Sequence, residues 1–111
     1  MNSTYNMFSA ICLTRQAIAR IADKWTILVV VALAERPYYF GELLRKIECI
    51  SQKMLTQTLR KLEADGIVSR SVEEGSVKRV QYTLTPIGVK LIEPLQGLQR
   101  WAVEYADESA V

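Results

Sequence analysis

One segment of this 111-residue sequence carries side chains suited to chemistry at helical spacing. They are two cations and two hydrogen-bonding groups: Lys53, Thr56, Gln57 and Arg60. If Leu55, Leu59 and Leu62 form the inward stripe of the same helix, a rotation of about 100° per residue places these four on the opposite side. Arginine and lysine can bind guanine edges, glutamine can bind adenine, and all of them can hold phosphates. This face is either a surface for nucleic acid or a merely solvated helix face.

The two thiols, Cys12 and Cys49, are the other reactive groups, and the sequence contains no histidine. The commonest general base, the commonest metal ligand and every Ser-His or Cys-His nucleophile pair are therefore missing. Two cysteines are also too few for a disulfide-stapled secreted domain. We expect a protein that is not an enzyme, holds no metal and needs no cofactor, with reduced thiols in the cytoplasm.

Charge is distributed unevenly along the chain. The net charge is only +2, from 14 basic and 12 acidic residues, but the segment 36–61 holds six basic residues and two acidic ones. The compensating acids lie in the C-terminal segment. Such polarity is typical of a protein that meets a polyanion with one surface. Two further cations, Lys78 and Arg79, could add contacts to phosphates or to the minor groove.

Apolar periodicity and end signals divide the first two thirds of the chain into four helices. The first is expected at about 8–22, and the second runs from a cap at Asp23 to residue 34. A short third helix covers 40–47, and Ser51 caps a fourth helix that ends at Asp65 and Gly66. The apolar run in the second helix is about half as long as a membrane span, so no membrane contact is expected. Segment 40–66 is a helix-turn-helix candidate.

Beyond Gly66 the apolar period shortens from about 3.6 to about 2. Two strands are expected at 67–72 and 80–84, joined by turn residues. Thr85 and Pro86 start a last helix whose apolar residues recur every three or four positions, as in helix–helix packing. Pro94 predicts a kink or a late start there. The sequence predicts one mostly α domain, a winged helix-turn-helix with a small β-hairpin wing and flanking helices.

Several stretches, in register through nearly the whole chain, match one known family. They are Cys12, Lys24-Trp25-Thr26-Ile27-Leu28, Phe40-Gly41-Glu42-Leu43, the long block 50–70, Tyr82-Thr83-Leu84-Thr85-Pro86-Ile87-Gly88, and the spacing of Leu91, Pro94, Leu95, Leu98 and Trp101. These residues resemble the HxlR-type family of bacterial winged-helix transcription regulators, which are related to the MarR group. The long block is the most specific of the matches.

The resemblance implies a homodimer built from the terminal helices, 8–22 and 86–108, around a helix-turn-helix at 40–66 and a wing at 67–84. Two recognition helices would lie in successive major grooves of a near-palindromic operator in double-stranded DNA. Together with the cationic face, it predicts DNA contacts from Ser51, Gln52, Lys53, Thr56, Gln57, Arg60, Lys61, Lys78 and Arg79. It also implies a cysteine near the start of the first helix, which in several members senses electrophiles or oxidants; Cys12 stands there.

The chain departs from the family pattern at four places. The usual wing proline is absent from Ser76-Val77-Lys78-Arg79, and Gln81 stands where a glutamate usually precedes the wing tyrosine. Tyr39 replaces an arginine before Phe40, and Cys49 takes a position often held by glycine. The departures in the wing leave its contact with DNA open, but not the fold.

Each cysteine has a structural and a functional interpretation. Cys12 is either a small buried residue on an apolar helix face or a thiolate favoured by the positive end of the first helix and by Arg15. Cys49 is either a filler between two helices or a thiol whose oxidation tilts the recognition helix. A disulfide between Cys12 of one subunit and Cys49 of the other is a further alternative, whose distance a sequence cannot measure.

The leading hypothesis is a dimeric, sequence-specific transcription regulator that responds to oxidants or electrophiles through Cys12. The alternatives are a winged-helix module that docks proteins, and a regulator that answers a small ligand rather than thiol chemistry. If the protein is a dimeric, thiol-responsive regulator, Trp101 packs in the dimer interface with Leu98 and Tyr105. If it answers a small ligand, the same three residues form a ligand cage. Trp25 is expected in the core.

Overall fold

The computed structural model describes residues 6–9 and 11–109. Its helices are α1 (Leu13–Ile21), α2 (Lys24–Glu35), α3 (Phe40–Lys46), α4 (Gln52–Ala64), α5 (Pro86–Val89) and α6 (Ile92–Ser109). Its strands are β1 (Tyr38–Tyr39), β2 (Val68–Glu73) and β3 (Arg79–Leu84), which form an antiparallel sheet in the order β1-β3-β2. The mostly α winged helix-turn-helix fold is therefore confirmed.

The helix starts follow the capping chemistry that the sequence predicts. The Asp23 carboxylate accepts a hydrogen bond of 2.9 Å from the N–H of Trp25 at the start of α2. The Ser51 hydroxyl accepts one of 3.0 Å from the N–H of Met54 at the start of α4. Gly66 has a φ of 75°, which a glycine adopts without steric cost and which ends α4. These local signals fix the two ends of α4 independently of its packing.

The first helix begins later than the sequence prediction of residue 8. The N–H of Cys12 donates to the carbonyl of Ser9 at 3.1 Å in a preceding turn, and Cys12 has extended backbone angles. Cys12 is therefore the N-cap of α1 and does not lie on a helix face. The placement of this thiol on an apolar helix face was wrong, because apolar spacing does not distinguish a helix from the turn that leads into it.

The C-terminal helix predicted as one unit is divided in two. A single turn, α5, ends at Val89, and α6 starts at Ile92. Pro94 lies in the first turn of α6, where a missing N–H breaks no helical hydrogen bond. The late start that the sequence predicts for this proline is therefore observed.

The sequence prediction contained no strand before α3, yet β1 pairs with β3. Tyr38 lies opposite Tyr82 and Tyr39 opposite Gln81. Two residues are too short to show an alternating pattern, so only the fold reveals this strand. Three of the four strand ends in the hairpin lie one residue from the predicted boundary, and β3 ends at Leu84 as predicted.

The core lies between α2, α3, α4 and the inner face of the sheet. The inward stripe of α4 is confirmed, since Leu55, Leu59 and Leu62 are all buried. Burying each such side chain contributes about 1.5–3 kcal/mol, which holds α4 firmly against the body. Trp25 is only partly buried and packs against the edge of this core.

A tight joint connects α5 to the segment that follows α4. Thr85 caps α5, and its hydroxyl donates to the carbonyl oxygens of Gly66 at 2.6 Å and of Ile67 at 3.0 Å. Gly88 is buried against the backbone of Ile67, and a Cβ built on Gly88 would lie 2.2 Å from the Ile67 oxygen. This contact leaves no room for any side chain at position 88.

The two terminal helices bury very little of their own surface. No residue of α1 is buried, and in α6 only Leu95 is. The radius of gyration is 16.1 Å, compared with about 13 Å for a compact chain of this length. An ion pair of 2.7 Å between Arg20 and Asp65 ties α1 to the end of α4. In the described residues, none of the helices combines the length and the apolar character needed to cross a membrane.

Candidate nucleic-acid interface

The outward face of α4 is a continuous polar surface. A shallow depression of about 560 Å³ is lined by Gln52, Lys53, Thr56, Gln57 and Arg60. All but Thr56 are exposed, and the Thr56 hydroxyl donates to the carbonyl of Gln52 at 2.8 Å. The structure therefore brings together the four residues singled out from their spacing, with Gln52 beside them.

Two of the predicted contact residues lie at the margin of this face. Ser51 uses its hydroxyl as the helix cap. Lys61 does not line the depression and lies toward the start of α2. Burial tends to raise the pKa of Asp23, but hydrogen bonds from Trp25 and Thr26 and the charge of Lys61 hold that pKa below its ordinary value. Lys61 is therefore turned toward an acid as well as toward solvent.

A cleft of about 610 Å³ separates α4 from the wing. Its charged lining residues are Arg60, Arg70, Lys78, Arg79 and Glu63. Lys78 and Arg79 were expected near the DNA surface, whereas Arg70 was missed. The sequence signal for Arg70 is its position two residues after buried Val68, which places both on one face of β2. That face could be assigned to the cleft only once the register with β3 was known.

Arg79 is engaged with the body of the protein. Its guanidinium group lies 3.6 Å from the centre of the Tyr39 ring, a cation–π contact. The Tyr39 hydroxyl donates to the carboxylate of Glu73, which lies opposite Arg79 in the hairpin. This hydrogen bond raises the pKa of Tyr39. Tyr39, which stands where the family usually has an arginine, thus ties the loop end of the wing to the start of α3.

The start of α3 is fixed by a second polar contact. The Glu42 carboxylate accepts hydrogen bonds from the N–H of Tyr39 at 2.8 Å and from the Arg36 guanidinium at 3.1 Å. The Tyr39 hydrogen bond and then the Arg36 charge lower the pKa of Glu42. The helix-turn-helix is therefore joined to both α2 and the wing by charged groups.

The two thiols lie in different environments. Cys12 is 2 % exposed, and burial alone would raise the pKa of its thiol. Hydrogen bonds from the backbone of Arg15 and Thr14, with the charge of Arg15, outweigh burial and lower the pKa of the Cys12 thiol. Burial and a lowered thiol pKa thus coincide at Cys12.

Cys49 is exposed in the turn between α3 and α4, so its interpretation as a filler between helices was wrong. Its φ is 72°, in the left-handed region that favours glycine. This backbone conformation explains why a glycine often occupies the position. Among the described residues, no group of histidine, cysteine and acidic side chains could hold a metal ion.

Two helices joined by a short turn and followed by a β-hairpin define a winged helix-turn-helix protein. A family model described as HxlR-like helix-turn-helix matches residues 20–110. The chain belongs to this family of transcriptional regulators. The resemblance seen in its sequence motifs is thereby confirmed.

Individual relatives agree with this assignment. The uncharacterized HTH-type transcriptional regulator YtfH of Escherichia coli (strain K12) is 36 % identical over 96 residues, which are 86 % of this chain and 76 % of YtfH. The structure of ytfH from Salmonella typhimurium superposes with a TM-score of 0.83 at 30 % identity, covering 95 % of this chain and 94 % of ytfH.

Two further similar structures are of a protein described as a redox regulator and of a regulator treated with the thiol oxidant diamide. The redox regulator HypR in its reduced form has a TM-score of 0.79 at 31 % identity, with 87 % of this chain and 96 % of HypR covered. Diamide-treated YodB from Bacillus subtilis has a TM-score of 0.72 at 34 % identity, with 87 % of this chain and 97 % of YodB covered.

Proposed function

We propose that this transcriptional regulator is a homodimer that binds a near-palindromic operator by inserting α4 into the major groove of double-stranded DNA. The observation that carries the proposal is the outward face of α4, which is exposed, cationic and rigidly backed by three buried leucines. A helix held by its core side and free on its polar side is what direct readout of base edges requires.

The contacts divide by chemistry. Lys53, Gln57 and Arg60 reach base edges, because their long side chains carry the donors and acceptors that distinguish base pairs. Thr56 offers its methyl group, since its hydroxyl is engaged with the helix backbone. The remaining contacts go to phosphates, from Ser51, Gln52, Lys61, Lys78 and Arg79. Arg79 would have to leave the Tyr39 ring, or reach a phosphate from it.

Selection from a pool of random duplexes tests this proposal. We expect an enriched sequence with two related half-sites, and an affinity that falls about 10³- to 10⁵-fold between 50 and 200 mM salt if 6–10 phosphates are contacted. A protein-docking module would enrich no sequence and would show no such salt dependence. That outcome would reject the proposal.

The dimer is formed by α1 and α6, whose apolar side chains are left exposed in the single chain. Leu98, Trp101 and Tyr105 of α6 are 43–60 % exposed, and the Trp101 and Tyr105 rings stack with centroids 5.2 Å apart. Exposed large apolar residues in a contiguous stripe are typical of a subunit interface.

Replacing Trp101 by alanine should weaken the dimer by about 30-fold or more, because buried aromatic anchors carry most of the energy of an interface. Sedimentation equilibrium measures this directly. The neighbouring exposed Arg100→Ala variant is the matched control and should stay dimeric. If the W101A protein dimerised as tightly as the R100A protein, the ring pair would not belong to the interface.

Cys12 is the proposed sensor of oxidants and electrophiles. Its lowered pKa increases the thiolate fraction, and the thiolate is the nucleophile. Two similar proteins support this role, because HypR is described as a redox regulator and YodB was studied after treatment with diamide. The reagent must reach a buried sulfur, and α1, which follows it, buries none of its own residues in the single chain. Movement of α1 would then alter the spacing of the two α4 helices.

Diamide oxidises two thiols to one disulfide in two steps. The Cys12 thiolate adds to the N=N bond, which takes up a proton. A second thiol then attacks the Cys12 sulfur and displaces the hydrazine, which carries away the second proton. Two thiols lose two electrons and become a disulfide. Cys49 of the partner subunit is the proposed second thiol, because it is exposed and adjacent to α4.

A Cys12→Ser variant should bind the selected operator with normal affinity but lose its response to diamide, because no thiolate remains at the start of α1. Gel shifts before and after oxidation, with non-reducing electrophoresis of the same samples, provide the readout. The C49S control separates two routes: it blocks the cross-linked dimer but leaves simple adduct formation at Cys12. A C12S protein that still responded fully would exclude Cys12 as the sensor.

A further inference from the structure

The cleft between α4 and the wing has more positive charge than its own contacts neutralise. Four cations line it, and Glu63 is the one carboxylate among its described lining residues. The ion pairs found in the described part of the chain lie elsewhere, at Arg20–Asp65, Arg36–Glu42 and Lys46–Glu35. The cleft is therefore suited to an anion that comes from outside the chain.

Arg70 is the cation whose position in the cleft is least explained by the fold. In residues 6–9 and 11–109 it makes no hydrogen bond, ion pair or ring contact, whereas Arg79 is stacked on Tyr39. Arg70 lies directly opposite Tyr82 in the hairpin. Tyr82 and Val68 share its face and are buried, so this face of the wing turns toward the body and α4. Arg70 is thus an exposed cation on the inner side of the wing.

We propose that this cleft is a binding site for a phosphate group of the DNA backbone and that Arg70 is a ligand of that phosphate. The inference rests on the proposed insertion of α4 into the major groove, since the cleft then borders the strand that flanks the groove. The planar guanidinium can donate two parallel hydrogen bonds to phosphate oxygens. Because every backbone phosphate is alike, Arg70 contributes affinity and register, not sequence discrimination.

Glu63 opposes the same anion from the α4 side of the cleft. Its carboxylate lines the cleft and is exposed. A like charge several ångströms from a bound phosphate weakens binding even through water. Neutralising Arg70 should therefore weaken DNA binding, and neutralising Glu63 should strengthen it. A general loss of stability would weaken binding in both variants and cannot produce these opposite effects.

Fluorescence anisotropy with a random-sequence duplex of about 30 base pairs tests the site. The Arg70→Gln variant should bind about tenfold more weakly per subunit, as expected for one lost hydrogen-bonded ion contact. The slope of log affinity against log salt should become shallower by about 0.9 per subunit. The Glu63→Gln variant should bind about threefold more tightly.

The matched control is Arg100→Gln, which removes the same charge from α6 outside the cleft and should leave the salt slope unchanged. An R70Q protein with the slope and affinity of R100Q, or an E63Q protein that gains nothing, would overturn the proposal. If the wild-type affinity for DNA nevertheless rose steeply as the salt concentration fell, only the proposed phosphate site in the cleft would be rejected. A wild type without salt-dependent binding would instead reject DNA binding itself.

Discussion

Substituting Gly88 by alanine is expected to lower the free energy of unfolding by about 3 kcal/mol or more. The new Cβ would lie 2.2 Å from the carbonyl oxygen of Ile67, which is backbone and cannot swing aside. Overpacking of this kind costs about 1–3 kcal/mol where the neighbours can relax, and more where they cannot. Because Thr85 binds the same carbonyl, a shift of Ile67 would also loosen the cap of α5.

Thermal unfolding checks this result, with an expected decrease in Tm of roughly 10 °C or more. Gly75→Ala in the wing loop is the matched control, because nothing lies within 4 Å of a Cβ built there and no positive φ is required. Equal Tm values for G88A and G75A would show that the joint between α5 and Ile67 is looser than its geometry implies.

The second large effect concerns the outward face of α4. Arg60→Ala and Gln57→Ala should each lower affinity for the selected operator by about 10- to 100-fold, since one well-made contact to a base edge is worth about 1–3 kcal/mol. Both side chains are exposed, so neither change should alter the Tm. Gel shifts with the operator and with single-base variants of it measure the loss and the base pair that each residue reads.

Lys78→Ala is the contrasting variant for this pair. A phosphate contact is insensitive to sequence, so K78A should weaken binding to operator and random DNA by the same factor. Operator affinity that was unchanged in R60A would show that α4 presents a different face to DNA. A K78A protein that lost discrimination instead of affinity would place the wing in a groove.

The parts of the fold that the sequence predicts well are those specified by local chemistry. The ends of α4 follow from Ser51 and Gly66, and its buried side follows from three leucines at helical spacing. The outward face is then determined by geometry alone. These features agree with the structure because capping, periodicity and packing favour the same helix.

The features that the sequence does not predict depend on long-range pairing. Strand β1 consists of two residues held by β3, far along the chain. The place of Arg70 in the cleft depends on the register between β2 and β3, and a slip of one residue would turn it to the opposite face. The Tyr39–Arg79 contact likewise joins residues from separate elements. A short-range pattern contains no information about such partners.

The left-handed backbone at Cys49 has a consequence for protein engineering. A residue that carries a Cβ costs roughly 1–2 kcal/mol in this conformation, and glycine does not. The α3–α4 turn thus carries a cysteine at a position where glycine would make the folded protein more stable. Selection of variants of this chain by thermal stability alone should therefore enrich glycine at position 49. Such a selection would remove the oxidisable thiol, and a stability measurement would not reveal that loss.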